Sequence, residues 1–146
     1  MQHYQYADII LPLSIPRVYT YGIPLEWQQA IRIGMRVEVQ FGQKRAYSGI
    51  VKRLHNDKPD VYAVKPIRQL LDEEAIVTPT QLQFWEWIAG YYACTEGDVM
   101  NAAMPAHLKL ASETYIGLYE DAPFDPATLT DEEYLLMEAL LVKAKK

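Results

Sequence analysis

The stretch that decides the fold is Pro16-Arg17-Val18-Tyr19-Thr20-Tyr21-Gly22, followed after a loop by Arg36-Val37-Glu38-Val39-Gln40-Phe41-Gly42-Gln43-Lys44-Arg45 and then by Tyr47-Ser48-Gly49-Ile50-Val51. Three short runs alternate apolar and polar residues and are separated by Gly, Pro or charged clusters, the pattern of half-buried strands joined by turns. In the second run Val37, Val39 and Phe41 are expected to face inward, and Arg36, Glu38 and Gln40 to face water, because strand side chains alternate with period two. A small curved sheet follows, with the polar loop after Phe41 as its working edge.

Outward from that stretch, the spacing predicts a first strand over 4–11, closed by Pro12 and Pro16, and a second over 18–23. A connection over 26–31 contains a helical turn, Gly34 opens the third strand, and 46–55 is the fourth, where Gly49 marks a bulge or a close backbone approach. The cluster Asn56-Asp57-Lys58-Pro59-Asp60 reads as a turn or loop. A fifth strand over 61–71 contains Pro66, which has no N–H for a ladder bond and therefore places the strand at an edge.

At Thr78 the period changes. Thr78 followed by Pro79 is a helix start, hydroxyl at the N-cap and proline in the first turn. Leu82, Trp85, Ile88, Ala89 and Tyr92 form one apolar stripe, and Phe84, Trp87 and Tyr91 a second aromatic set on the neighbouring face. The expectation is a helix buried on two sides, with its rings in the core and not serving as a ligand platform. Thr95-Glu96-Gly97-Asp98 ends it, and 99–104 reads as a short second helix stopped at Pro105. Further on, a strand is predicted over 114–119 and an acidic, proline-containing linker over 121–126. Thr130 and Glu133 then make a capping box. The stripe Tyr134, Met137, Leu140 and Leu141 that follows runs into Lys143, Lys145 and Lys146, cations suited to a helix C-terminus. With nothing left to bury this stripe, the chain is expected to end inside a second domain.

The fold class is therefore α+β: a small, mostly antiparallel curved sheet or barrel of about five or six strands, a helical segment, and then an incomplete second domain. The expected divisions are 1–108 (strands within 4–71, helices within 78–104), a linker over 109–129, and a last helix over 130–146.

Of the 146 residues half are hydrophobic and 23% are charged, the profile of a folded globular chain. No apolar run approaches the roughly 20 residues of a membrane span, and Met1 to Tyr6 lacks the regions of a signal peptide, so a cytoplasmic protein is expected. The single cysteine, Cys94, leaves no internal disulfide framework and no cysteine zinc site, and is expected to be a small buried hydrophobe. The net charge of −5 conceals an asymmetry: residues 1–68 hold 10 of the 14 Lys and Arg but 5 of the 19 Asp and Glu, giving +5 there and −10 in the remainder. Those basic residues are interleaved with Tyr4, Tyr6, Tyr19, Tyr21 and Tyr47. Cations beside rings are the footprint of single-strand nucleic acid binding; the weightier reading of the residues alone is that the tyrosines fill a small barrel and the charges solvate its outside. No phosphate-binding loop, HExxH or GxSxG motif is present, and His3, His55 and His107 lack metal-ligand spacing. The carboxylate clusters Asp72-Glu73-Glu74 and Asp131-Glu132-Glu133 fit linker and capping roles. No enzyme is read in this chain.

Leu11-Pro12-Leu13 to Pro16-Arg17, Tyr19-Thr20-Tyr21, Gly34-Met35-Arg36-Val37-Glu38-Val39, Phe41-Gly42 and Gly49-Ile50-Val51 together resemble the N-terminal domain of the PriA family, also called primosomal protein N prime. The resemblance continues through Trp85, Tyr91-Tyr92, Gly97-Asp98-Val99 and Met104-Pro105, covers about 4–110, and makes the remainder look like the entry to that family's winged-helix domain. It implies the N-terminal part of an ATP-dependent DNA helicase that restarts stalled replication forks, with a domain that binds the 3′ end of a nascent leading strand. Carried over by position, the end-binding pocket implied is Tyr19, Thr20, Gly42 and Lys65; Arg17, Lys44, Arg45 and Tyr21, among the interleaved basic and tyrosine residues, are candidates for secondary DNA contacts. Thr20 stands where the family usually has an aspartate. Single-stranded and forked DNA are the implied partners, together with single-strand DNA-binding protein and other primosome proteins in the full-length protein, and no membrane. No cofactor is expected in this chain; ATP, magnesium and zinc belong to the helicase part. A tyrosine-lined barrel that takes a peptide, and a duplex-binding winged-helix regulator cut short, are the alternatives.

Overall fold

The computed structural model describes residues 4–109 and 128–143. The chain divides into two units, Met1–Ser112 and Glu113–Lys146. In the first, five strands form one antiparallel sheet: β1 (Tyr6–Ile10), β2 (Tyr19–Gly22), β3 (Arg36–Phe41), β4 (Arg45–His55) and β5 (Ile67–Leu70), in the order β2-β1-β4-β3-β5. A single 3-10 turn, Leu25–Trp27, lies in the connection before β3. The fifth strand starts only after Pro66, so the predicted 61–71 strand is shortened to its second part and takes the edge position.

The sheet curls until its two edges meet. Gly22 donates its N–H to the Lys65 carbonyl at 2.9 Å and bridges Pro66. Pro66 has no N–H of its own, so the closing contact uses a carbonyl from the β5 side. One core fills the inside of this half-barrel: Ala7, Ile9, Tyr21, Val37, Val39, Val51 and Ile67 are buried, with Tyr19, Phe41 and Tyr47 packed against them. Val37 and Val39 face inward as their alternation requires, while Phe41 is half-buried at the open end.

A second core lies on the opposite face of β1 and β4, where Ile10 and Ile50 meet the helices. Ile9 and Ile10 therefore enter different cores, and so do Val51 and Ile50, because successive strand residues point to opposite faces. Gly49 is a close approach: a Cβ there would stand 2.3 Å from Ile9 Cγ2. The pairing of β1 with β4 shifts register between Asp8 and Ile9, leaving Lys52 as the extra residue of a bulge.

The helix α1 (Pro79–Tyr92) begins with the expected Thr78 cap, which closes a full capping box with Gln81. It packs on the sheet through Leu82, Trp85 and Ala89, a fully buried leucine-sized side chain contributing about 1.5–3 kcal/mol and the alanine methyl less. The opposite face is open. Phe84, Trp87, Tyr91 and Tyr92 are 56–69% exposed, so the expectation of a helix buried on two sides is corrected: these rings stack on one another along the surface, Phe84 to Trp87 at 5.9 Å and Trp87 to Tyr91 at 5.2 Å. One sheet face can cover only one stripe of a helix.

Ala93 closes α1 in a left-handed conformation, and this break turns Cys94 outward. Cys94 is exposed, against the expectation of burial. Thr95 is likewise not the end of α1 but the N-cap of α2 (Glu96–Ala103), in a second capping box with Asp98. The carboxylate of Asp98 also takes the Ser14 hydroxyl, and these bonds from Ser14 and Thr95 hold its carboxyl below the ordinary aspartate range.

In the second unit the described residues hold α3 (Asp131–Lys143), opened by the expected box in which Glu133 accepts from the Thr130 N–H at 2.9 Å. Tyr134, Leu135 and Leu136 are exposed. The predicted strand over 114–119, the linker over 121–126, and the side chains of Leu140 and Leu141 lie outside the described residues, and no winged helix is assembled from α3 alone.

Candidate nucleic-acid interface

Closure of the half-barrel decides where the functional side chains go. Because Gly22 bonds Lys65, the residues just before Gly22 on β2 lie beside the segment that leads into β5. The hairpin between β3 and β4 forms the third wall. Its turn needs Gly42, whose φ of +71° is one that side-chain-bearing residues adopt at a cost, and a Cβ there would meet nothing within 4 Å. Backbone and empty space thus sit together at the mouth of the barrel.

The cavity between these walls has a volume of about 220 Å³. All four positions carried over by resemblance, Tyr19, Thr20, Gly42 and Lys65, line it, although they come from three separate segments. Phe41 and Tyr62 complete the ring set: Tyr19 meets Phe41 edge-on at 5.0 Å and Tyr62 at 5.8 Å. The Lys65 ammonium donates to the Gly42 carbonyl at 2.6 Å while remaining exposed, so the cation is held over the turn and keeps free donors for an anion. A wider open groove of about 610 Å³ shares Tyr62 and Ala63 with this cavity and extends to Lys58 and Tyr6.

The secondary positions divide. Arg17 places its guanidinium 5.9 Å from the Tyr19 ring centre, a cation-π distance. Lys44 and Arg45 are exposed at the hairpin beside Gly42. Tyr21 is 3% exposed and donates its hydroxyl to the Gln40 carbonyl at 3.2 Å; burial, with Tyr62 and Tyr19 nearby, pushes its pKa up to about 12. Tyr21 is therefore a wall of the barrel and not a free contact.

Two residues of this region are not evident from the sequence reading. Tyr62 accepts the Thr20 N–H on its hydroxyl at 2.9 Å, and nothing in its neighbourhood, Asp60-Val61-Tyr62-Ala63, sets it apart. Asp8 lies opposite Thr20 on β1. Its carboxylate takes the Thr20 hydroxyl at 2.7 Å, Arg53 Nε at 2.8 Å and approaches His55 Nε2 at 3.0 Å. Burial alone would raise the Asp8 pKa; the hydrogen bonds from Thr20, Arg53 and His55 outweigh it and lower the pKa below the ordinary 3.8. Among the described residues no group of three or more His, Cys, Asp or Glu side chains could hold a metal, and no helix is long and apolar enough to cross a membrane.

A family model described as the PriA 3′DNA-binding domain (3′BD) matches residues 8–105. The chain belongs to this family. The matched span contains the whole sheet from Asp8 onward, the cavity, α1 and α2, and lies within the first unit of the chain. The chain is 34% identical over 102 residues to the replication restart protein PriA of Haemophilus influenzae, which covers 69% of this chain and 14% of that protein. It is 25% identical over 124 residues to the replication restart protein PriA of Bacillus subtilis, covering 83% of this chain and 15% of the relative. The chain thus spans about a seventh of the length of these relatives.

Proposed function

We propose that this 3′BD binds DNA in replication restart by holding the 3′-terminal nucleotide of a single strand in the cavity at the mouth of the barrel. What carries the reading is that Tyr19, Thr20, Gly42 and Lys65, from distant segments, share one concave site with three further rings, Tyr21, Phe41 and Tyr62. A base stacks on rings of any sequence context, a glycine turn admits a sugar or phosphate close to the backbone, and an exposed ammonium neutralises the phosphate. At about 220 Å³ the cavity is smaller than the roughly 300–1,000 Å³ that encloses a drug-sized ligand, which fits one terminal residue better than a run of bases. The groove toward Lys58 gives the preceding nucleotides a path.

In the longer protein this binding directs an ATP-dependent helicase to forked DNA, in company with single-strand DNA-binding protein and other primosome proteins. ATP, magnesium and zinc would act in the helicase part. The test is a fluorescence titration of the chain with single strands whose 3′ hydroxyl is free or phosphate-capped, alongside duplex and fork. Tighter binding of free ends supports the reading, and equal binding of free and capped ends refutes end recognition. A peptide-binding module is the second reading, favoured by the exposed rings on α1; binding that ignores both DNA and salt would support it.

A further inference from the structure

Asp8 is the one buried carboxylate among the described residues, 7% exposed in the middle of β1. A carboxylate out of water must be matched by donors, and Asp8 has three, of which Thr20 is the one that also lines the cavity. The two residues face each other across the ladder, and the Thr20 amide points away from β1 to the Tyr62 hydroxyl. That is the non-hydrogen-bonded type of pair, in which side chains approach most closely. A hydroxyl has a single proton. With that proton committed to a carboxylate in a charge-assisted bond, Thr20 Oγ1 has only lone pairs left to offer anything else.

We propose that Asp8, acting through the Thr20 hydroxyl, is the positioning residue that makes the cavity select strand ends bearing a hydroxyl. Toward a ligand Thr20 then accepts and does not donate, which is how an aspartate at that position would behave. The carboxylate is displaced one strand across the sheet, from β2 to β1, where Arg53 and His55 also bond it. The inference rests on the 3′-end reading. It also changes the expected result of placing a second acid in the site: Thr20→Asp alone sets two carboxylates directly opposite, a repulsive cross-strand pair, whereas exchanging the two residues keeps one.

The experiment uses the full chain and 5′-fluorescein-labelled single strands of one sequence ending in a 3′ hydroxyl, a 3′-deoxy or a 3′-phosphate. The readout is the ratio of Kd values for deoxy and hydroxyl ends, with thermal melting to establish folding of each variant. Loss of one polar-group hydrogen bond corresponds to about tenfold, so the wild-type ratio is expected near ten. Asp8→Asn should reduce it to about two or three and Thr20→Val to about one. Thr20→Ser, which keeps the hydroxyl, and the exchange Asp8→Thr with Thr20→Asp should retain it. A carboxylate that merely supports the strand would weaken both ends alike and leave the ratio unchanged. An unchanged ratio in folded Asp8→Asn overturns the inference while leaving the 3′-end reading intact. If Asp8→Asn does not fold, the exchange decides: a retained ratio supports the inference, and a ratio of one overturns it. Equal binding of hydroxyl, deoxy and phosphate ends by the wild-type chain removes the 3′-end reading itself, and this inference with it.

Discussion

Tyr19, Phe41 and Tyr62 at the mouth of the barrel, and Phe84, Trp87 and Tyr91 along α1, are both sets of rings 5 to 6 Å apart, yet they belong to different kinds of surface. The first set lines a cavity, with Tyr19 and Phe41 seated on the inner core, and has Lys65 and Arg17 beside it. The second set stands on a convex helix face whose nearest charged group in the chain order is Glu86, bonded to Lys52. Stacked rings by themselves do not make a nucleic-acid site; a base needs a concave ring surface and a cation for its phosphate. The neighbours Trp85 and Trp87 make the same point within one helix, at 7% and 58% exposure. Two residues of helix turn one ring into the core and the other into water.

The largest expected effect breaks the comparison at the joint between its two halves. Gly34 donates to the Val51 carbonyl and accepts from Ile76 and Val77 just ahead of α1. Its φ is +89°, and a Cβ would stand 1.8 Å from the Val77 oxygen. Gly34→Ala combines overpacking with a disfavoured backbone conformation and should lower stability by about 3 kcal/mol or more, read as a reduced denaturant midpoint. A loss under about 0.5 kcal/mol would show that the helical segment can detach from the sheet without consequence.

Next comes the direct contest between the two ring sets. Tyr19→Ala should weaken single-strand binding by about 1–3 kcal/mol, whereas Trp87→Ala should leave DNA affinity unchanged and stability within about 0.5 kcal/mol. The opposite ranking in a titration would move the DNA site to α1.

A finer measurement concerns the cation. Each phosphate neutralised on a single strand contributes about −0.7 to the slope of log affinity against log salt, so Lys65→Ala should flatten the slope by about that amount. A slope identical to that of the unaltered chain would place the phosphate elsewhere.

The smallest effect is on acid stability, and it sharpens what the cavity wall rests on. The Asp8 pKa is lowered below 3.8 in the folded chain. A lowered carboxyl pKa adds stability that is complete above the unfolded value and is lost as pH falls through the folded one. Asp72, opposed by burial but held by Arg36 in a two-pronged pair, acts in the same direction. Unfolding followed by circular dichroism should therefore begin as pH drops below about 3.8, and Asp8→Asn should remove part of that dependence. A transition of equal steepness in the variant would mean that Asp8 is not a significant contributor.

Much of this was determined by local sequence. Strand alternation in Arg36 to Phe41, the Thr78-Pro79 helix start, the Thr130 and Glu133 box, and the family motifs that pick out Tyr19, Thr20, Gly42 and Lys65 each depend on residues within a few positions of one another. Local rules stop short wherever two distant segments must meet. Whether Phe84, Trp87 and Tyr91 are covered depended on how many faces of α1 the sheet could reach, and the exposure of Cys94 followed from a left-handed break at Ala93 that no neighbouring residue announces. The bond from the Thr20 hydroxyl to Asp8 depends on cross-strand register, since a slip of one residue would turn Asp8 to the other face and leave the hydroxyl without its acceptor. Periodicity can assign a residue to a face; only the curl of the sheet, closed between Gly22 and Lys65, brings the faces of β2, the hairpin and the segment before β5 around one cavity.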